Sequence, residues 1–318
     1  MTLTSPAPVI PPSPPARSER RGSARAGRIA AVASVVLVVW ILLGAVPGPL
    51  GALVAVALPW TGLLVLGALA IALVRARRTL VLPIAAAVVW ICAMLPALPS
   101  PGGAGGTGTL TVASQNVRAN SGGAAASAEA LAATGAQVVA LTELDGDSRA
   151  AADDALADRY PHSYQVGTVG VWSTYPISDS EPLSLGLGWN RALRVQVDAP
   201  EGPVGVYLLH AASIRPGEQG SRDTMLTALA AEIDGDDAAH VIAVGDFNSA
   251  PTDPALGPLR AAAEWVRPTD AGLGLTWPAG LPVVRIDQVF QRGLSVVSST
   301  TLPAGASDHL ATVTTVRF

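Results

Sequence analysis

Hydrophobic and polar positions follow two different rules along this chain. From Ile29 to Val74, 46 residues pass without a charged side chain. As one straight helix at 1.5 Å per residue they would extend roughly 69 Å, about twice the hydrocarbon thickness of a bilayer. The Pro47-Gly48-Pro49 sequence interrupts the run, because proline cannot continue a helix and glycine eases the turn. The pattern therefore predicts spans at about 29–46 and 51–74, followed by a third at about 80–98. Beyond residue 109 the apolar runs shorten and alternate with Gly, Pro, Asn and Asp. They predict strands at 110–117, 137–142, 169–172, 192–198, 203–209, 240–245, 284–290 and 311–317. Helical periodicity falls at 127–134, 147–158, 219–233 and 254–263. Helices alternate with strands in the first half, so the globular part is predicted to be an α/β or α+β sandwich with helices outside its sheets.

Composition agrees with a chain partly in lipid: half of the 318 residues are hydrophobic, 14% are charged, and mean hydropathy is +0.42. Residues 1–28, rich in Pro, Ser and Arg, are expected to be a disordered tail, and 99–108 a Gly-rich flexible linker before a domain at 109–318. Arg17, Arg20, Arg21, Arg25 and Arg28 precede the first span, and Arg75, Arg77 and Arg78 separate the second from the third. Both clusters are predicted to be cytoplasmic, so three crossings deliver the domain to the extracytoplasmic side of the cell membrane. The spans carry no ionisable residue of the kind that marks a transport path and read as an anchor. The chain has no Lys, and its last 218 residues hold 12 Arg against 23 acids, which disfavours tight non-specific nucleic-acid binding. The single cysteine, Cys92, lies in an apolar run, which excludes disulfide scaffolds, zinc ribbons and a cysteine nucleophile.

Strongly polar residues stand where strands end. Asn116 follows LTVASQ, Glu143 follows VVALT, His210 follows GVYLL, and Asp246 and Asn248 follow HVIAVG. Asp287 lies within VVRIDQVF, and Asp308-His309 precede the last strand. Strand ends converge on one rim of a sheet however far apart they are in sequence. Carboxylates, amides and two imidazoles without cysteine describe a hard-cation site with acid–base partners. A carboxylate such as Glu143 with the amide oxygen of Asn116 suits Mg²⁺ or Mn²⁺ bound incompletely, leaving room for water and a phosphate oxygen. Phosphate-loop, Rossmann, zincin and nucleophile-elbow motifs are absent from the sequence. Simpler roles exist for each residue: Glu143 as a helix cap, Asn116 as a turn former, Asp287 as an ion-pair partner of Arg285, His210 as a satisfied core histidine, Trp277 as packing. The Asp234-Gly-Asp236-Asp237 cluster reads as a solvated turn.

Taken in order, Ser114-Gln-Asn116-Val, Leu141-Thr-Glu143-Leu, Gly245-Asp246-Phe-Asn248, Arg285-Ile-Asp287 and Ser307-Asp308-His309-Leu resemble the endonuclease/exonuclease/phosphatase superfamily, the DNase I-like fold, in a membrane-anchored bacterial form. The resemblance implies a four-layer sandwich of two mixed sheets flanked by helices, here preceded by three transmembrane helices, and Mg²⁺-dependent phosphoester hydrolysis. By motif, Glu143 is implied as principal metal ligand, with Asn116 assisting at metal or phosphate and Asp308 close to the metal. Asp246 would orient the attacking water, Asn248 contact the phosphate, and His309, supported by Asp287, serve acid–base chemistry. His210 resembles the second histidine of the family, and Trp277 a rim residue touching substrate. Gln288 and Ala311 depart from the frequent residues at their positions. The implied partners are a phosphoester substrate (nucleic acid, a phospholipid headgroup or a small phosphodiester) and the lipid bilayer, with no obligate protein partner evident. A catalytically silent binding domain on a membrane anchor is the alternative.

Overall fold

The computed structural model describes residues 17–213 and 219–318. It divides into two compact units, one holding the residues up to Ile41 with Leu58–Cys92, the other Leu42–Ala57 with Ala93–Phe318. In the first unit lie most of α1 (Arg17–Leu43), α2 (Pro49–Arg75) and α3 (Val81–Met94). Helix α1 begins inside the segment expected to be irregular; residues 1–16 lie outside the described residues. Once the apolar stretch has formed a helical nucleus, Arg, Ser and Ala upstream extend it at little cost, and proline no longer intervenes after Pro15. The helices Gly22–Leu43 and Pro49–Arg75 are long and apolar enough to cross a membrane, whereas the third apolar stretch is a shorter helix, Val81–Ala97. The three-span expectation is thus met in full length by two helices. Within this unit Trp90 Nε1 donates to the Leu58 carbonyl at 2.8 Å and Trp40 Nε1 to Thr61 Oγ1 at 3.2 Å. A Cβ at Gly62 would lie 2.3 Å from the Trp90 ring, so α2 and α3 meet closely there because that residue is glycine.

The globular part of the second unit runs β1 (Thr109–Asn116), α4 (Ala124–Ala133), β2 (Val138–Thr142), α5 (Gly146–Leu156), β3 (His162–Val166), β4 (Val169–Ser173), β5 (Ile177–Leu183), β6 (Ala192–Ala199), β7 (Gly202–His210), α6 (Gln219–Gly235), β8 (His240–Asp246), α7 (Gly257–Ala262), β9 (Glu264–Trp265), β10 (Asp287–Arg292), β11 (Ser295–Leu302) and β12 (Ala311–Arg317). Two six-stranded sheets result, in the orders β11-β12-β1-β2-β4-β3 and β5-β6-β7-β8-β10-β9. Each contains one parallel pair, β1 with β2 and β7 with β8, joined through α4 and α6 respectively; the other pairs are antiparallel.

The period-two alternation of each central strand builds the layers. In β7, Val204, Val206 and Leu208 enter the core between the sheets, while Tyr207 and Leu209 face the core beneath α6 and α7. In β8, Ile242 and Val244 point one way, Val241 and Ala243 the other. Both faces are covered, which is why these strands read as continuous hydrophobic runs. A third core under α4 and α5 gathers Ala128, Leu131, Leu141, Leu156 and Trp172. Burying each such Val, Leu or Phe contributes about 1.5–3 kcal/mol. The sandwich of two mixed sheets flanked by helices is therefore present. Strands β3, β5, β9 and β11 lie outside the predicted set, and β10 runs Asp287–Arg292, shifted towards the C-terminus from the expected 284–290. In the acidic cluster before β8, Asp234 and Asp237 are exposed as expected of a solvated turn, but Asp236 has only 5% of its side chain exposed and pairs with Arg194 Nε at 2.7 Å, while Tyr207 donates to it at 2.7 Å. Burial and these donors hold it, and the donors, outweighing burial, lower its pKa to about 2.

Candidate active site

Strand register brings the polar residues together. In the second sheet His210 pairs with Asp246 across the parallel β7–β8 ladder, and Asp287 pairs with Asp246 across the antiparallel β8–β10 ladder. Three chemically active side chains are thereby neighbours at one sheet end. In the first sheet Asn116 pairs with Thr142, so Glu143 leaves β2 beside it. Asn116 Nδ2 then spans the two sheets, donating to Glu143 Oε1 at 3.0 Å and to Asp246 Oδ2 at 3.1 Å. The rim is strained: Glu143 and Asn248 have φ of +61° and +47°, a left-handed conformation that asparagine tolerates and glutamate resists.

The carboxylate of Glu143 accepts from Ala119 N at 3.1 Å, and the cap of α5 is Asp145, which accepts from Ser148 N, leaving Glu143 free of that task. The Asn116 amide oxygen accepts from Arg118 N at 2.9 Å, so its NH₂ rather than its oxygen faces the carboxylates; presenting the oxygen to a cation requires the amide to turn over. Asp246 Oδ1 accepts from Asn248 N at 2.9 Å, and Asn248 Nδ2 donates to the Ala211 carbonyl at 3.0 Å. Asp287 is committed to His309, whose Nδ1 lies 2.9 Å from Oδ2; Arg285 meets Asp287 only through Nε and the backbone carbonyl, at 3.3 Å. Asp308 is partly exposed and its backbone carbonyl accepts from Ala279 N at 2.7 Å. Trp277 is 40% exposed, so it is not core packing.

Two residues that carried no motif complete the site. Arg191, immediately before β6, places Nη2 2.7 Å from Nδ1 and 2.6 Å from Nε2 of His210, and its guanidinium lies 5.1 Å from the exposed Trp189 ring. It satisfied the same strand-end criterion as the others. Arg222 on α6 is fully buried and donates through Nη1 to the Asn248 carbonyl at 3.1 Å and to Asp253 at 3.0 Å; nothing local in the sequence signals that reach. Gln288 holds the same turn from the other side, donating to the Ser249 carbonyl at 2.7 Å and accepting from Trp265 Nε1 at 2.8 Å.

The electrostatics separate the two histidines. Burial, the Arg191 charge and the His309 charge all push His210 well below its ordinary pKa, so it is a neutral imidazole, 3.4 Å from Glu143 Oε1. Burial also disfavours charge on His309, but the charge and hydrogen bond of Asp287, with help from Asp246 and Asp308, raise it to about 9. Asp246 is pushed up to about 7, by burial first and then by the Asp287 charge, against the opposing pull of His309 and Asn248. Buried carboxylates crowded this closely favour a cation among them. Among the described residues, ligand-capable atoms of Asp246, Asp287 and His309 lie within 4.8 Å of one another. His309, held protonated by Asp287, is itself a cation there; the carboxylates of Glu143 and Asp246 and the amide of Asn116 are hard oxygen donors gathered beside it. Asp287 Oδ1, buried without a hydrogen-bond partner, shows the same excess of acceptors. The donor set fits Mg²⁺ or Mn²⁺.

A family model described as Endonuclease/Exonuclease/phosphatase family matches residues 113–309. Among solved structures, a humanized TDP2 of D. rerio is 18% identical with TM-score 0.57, covering 66% of this chain and 99% of its own. Beta toxin from Staphylococcus aureus is 15% identical with TM-score 0.53 over 64% and 99%. Sphingomyelinase C from Streptomyces griseocarneus is 19% identical with TM-score 0.51 over 66% and 99%. At these identities the likeness is one of fold. No curated protein sequence gives a significant match.

Proposed function

Because this chain belongs to the endonuclease/exonuclease/phosphatase family, we propose that its globular part is a phosphoester hydrolase using Mg²⁺ or Mn²⁺, anchored in the cell membrane by α1, α2 and the shorter α3. The observation that carries this reading is the β7–β8–β10 register, which sets His210, Asp246 and Asp287 abreast with His309 2.9 Å from Asp287. Asp246, when ionised, accepts a proton from the attacking water and fixes its direction. The cationic His309 binds the phosphate and stands ready to protonate the leaving oxygen, its ring fixed by Asp287. Arg191 and Asn248 add donors for the non-bridging oxygens, and neutral His210 holds Glu143 in place. Glu143, Asn116 and Asp308 would hold the metal, which when bound supplies charge neutralisation on the phosphate. Trp277 borders the substrate from the rim.

Arginines in the first turns of α1 and from the end of α2 to Arg78 support a cytoplasmic N-terminus and an extracytoplasmic domain. The acidic domain favours a phospholipid headgroup or small phosphodiester over nucleic acid. The test is hydrolysis by the full chain, beside Asp246→Ala, of plasmid DNA, single-stranded DNA, a generic diester and phospholipid vesicles, with Mg²⁺ or chelator. Metal-dependent turnover lost in the variant is expected; no turnover on any substrate by a folded protein moves the reading to a silent binding domain.

A further inference from the structure

The unit that holds the catalytic sandwich also contains Leu42–Ala57, the crest between α1 and α2. There Ala55 packs with Ala250, Val284 and Ile286, with Val56 and Val283 against the same cluster. Ala250 follows Asn248 by two residues and Ile286 precedes Asp287, so the start of an apolar helix touches the back of the catalytic rim. On the same stretch of α2, Leu50 and Leu53 are 42% and 57% exposed, side chains that in a spanning helix face lipid. The loop leading into this contact, residues 277–284, carries Leu281, 75% exposed, and Trp277. With Trp189, these are the exposed large hydrophobics of the described sandwich.

The loop is pinned at both ends to the site. Ala279 N donates to the Asp308 carbonyl at 2.7 Å and Leu310 N to the Thr276 carbonyl at 2.8 Å, while Thr276 Oγ1 accepts from Ile286 N and Asp287 N at 3.1 and 3.3 Å. The chain between α3 and β1 allows no long excursion either. Ser100 N donates to the Pro268 carbonyl at 2.9 Å, Gly103 N to the Val296 carbonyl at 3.0 Å, and Arg317 Nη1 to the Ala104 carbonyl at 3.2 Å. A Cβ on Gly102 would fall 2.1 Å from the Val297 carbonyl, so this glycine-rich stretch lies against β11 rather than spanning free space.

We propose that the 277–284 loop is a membrane-contact element, sinking Leu281 into the headgroup region of the bilayer crossed by the chain's own helices and presenting the catalytic rim to phosphoesters carried on lipids at that surface. The occupant is named by continuity: Val283 and Val284 share one apolar cluster with Ala55 and Val56, which belong to a helix long and apolar enough to cross a membrane. An isobutyl side chain on a loop tip beside an indole suits the boundary of headgroup and acyl chain. The acidic sandwich argues for apolar rather than charge-driven contact. The substrate half of this inference rests on the hydrolase reading above.

The experiment uses the full chain in phosphatidylcholine nanodiscs with Cys92→Ser as background and an environment-sensitive NBD label on Leu281→Cys. Blue-shifted emission quenched by shallow spin-labelled lipids is expected; water-like emission without quenching overturns the contact, whatever the activity. In parallel, Leu281→Asp should lower hydrolysis of nanodisc phospholipid about tenfold or more, as expected from losing the burial of one leucine, with turnover of a water-soluble diester unchanged. An unchanged phospholipid rate, or an equal fall on both substrates, overturns the presentation role. If the parent protein hydrolyses neither substrate, the hydrolase reading fails and the label alone decides the contact.

Discussion

Replacing Asp287 by Asn keeps the shape of the side chain and removes the charge that holds His309 protonated. The pair is 2.9 Å apart with 7% and 3% of the two side chains exposed, so solvent screens it little. The His309 pKa stands at about 9 against an ordinary 6.5, a difference of about 3 kcal/mol between the protonation states. Without the Asp287 charge, burial acts with less opposition and the pKa falls toward or below 6.5. At pH 7.5 the ring then passes from about 97% charged to about 10% or less. Because the folded pKa is raised, the pair's stabilisation is fully present below pH 6.5 and lost as pH rises through about 9. Histidine NMR titration of the chelator-treated protein checks this directly: one resonance with a midpoint near 9 in the parent should move down by two units or more in Asp287→Asn, roughly the shift that removing one close opposite charge produces. Thermal stability of the parent should decline between pH 6.5 and 9 more steeply than that of the variant. Diester turnover at pH 7.5 should fall about 10²-fold or more if His309 is the acid. A His309 midpoint unmoved by the substitution would refute the argument.

Asp246→Ala should reduce turnover about 10³-fold while the sandwich still folds, seen as unchanged circular dichroism, since the group lost is a proton acceptor rather than core volume. The raised pKa of Asp246, about 7 against 3.8, means that its contribution to stability falls as pH rises through 7; Mg²⁺ or Mn²⁺ should therefore raise the melting temperature more at pH 8, where this neighbouring carboxylate is ionised, than at pH 5, and equal shifts at both would speak against a metal held beside it. Gly245→Ala should cost about 3 kcal/mol or more in denaturant unfolding, because φ is +128° and a Cβ would sit 2.1 Å from the Leu209 carbonyl. Gln288→Leu leaves the Trp265 indole N–H and the Ser249 and Arg285 carbonyls without their partner; a loss of about 3 kcal/mol is expected, with KM rising as the Asn248 turn loosens.

What could be read before folding was whatever depends on short stretches. Strands buried on both faces, such as β2, β4, β7 and β8, announce themselves as apolar runs, and β6 and β12 by period-two alternation of buried and partly exposed positions; with β1 they fall close to their predicted places. The edge strands β3 and β5 have few fully buried positions, and β9 is two residues long; hydrophobic pattern cannot mark a strand that buries so little. The start of α1 at Arg17 has no local signal, because composition there reads as a tail, whereas a helix already formed downstream extends into it.

The chemistry divides in the same way. Residue type at a strand end is local information, so Asn116, Glu143, His210, Asp246, Asp287 and His309, which the structure brings together, could be named from the chain. Their separation into a neutral His210 and a cationic His309 could not, because it depends on which charge lies within about 4 Å of which ring in a medium that screens poorly. The parts played by Arg191, Arg222 and Gln288 likewise depend on pairings tens of residues apart. Sequence by itself determined the parts list, since hydrophobic periodicity and side-chain chemistry are properties of neighbours along the chain. Only the tertiary structure decided the protonation states, the strapping of residues 100–104 onto β11 and the packing of Ala55 with Ala250, Val284 and Ile286, because distance and burial arise when remote segments meet.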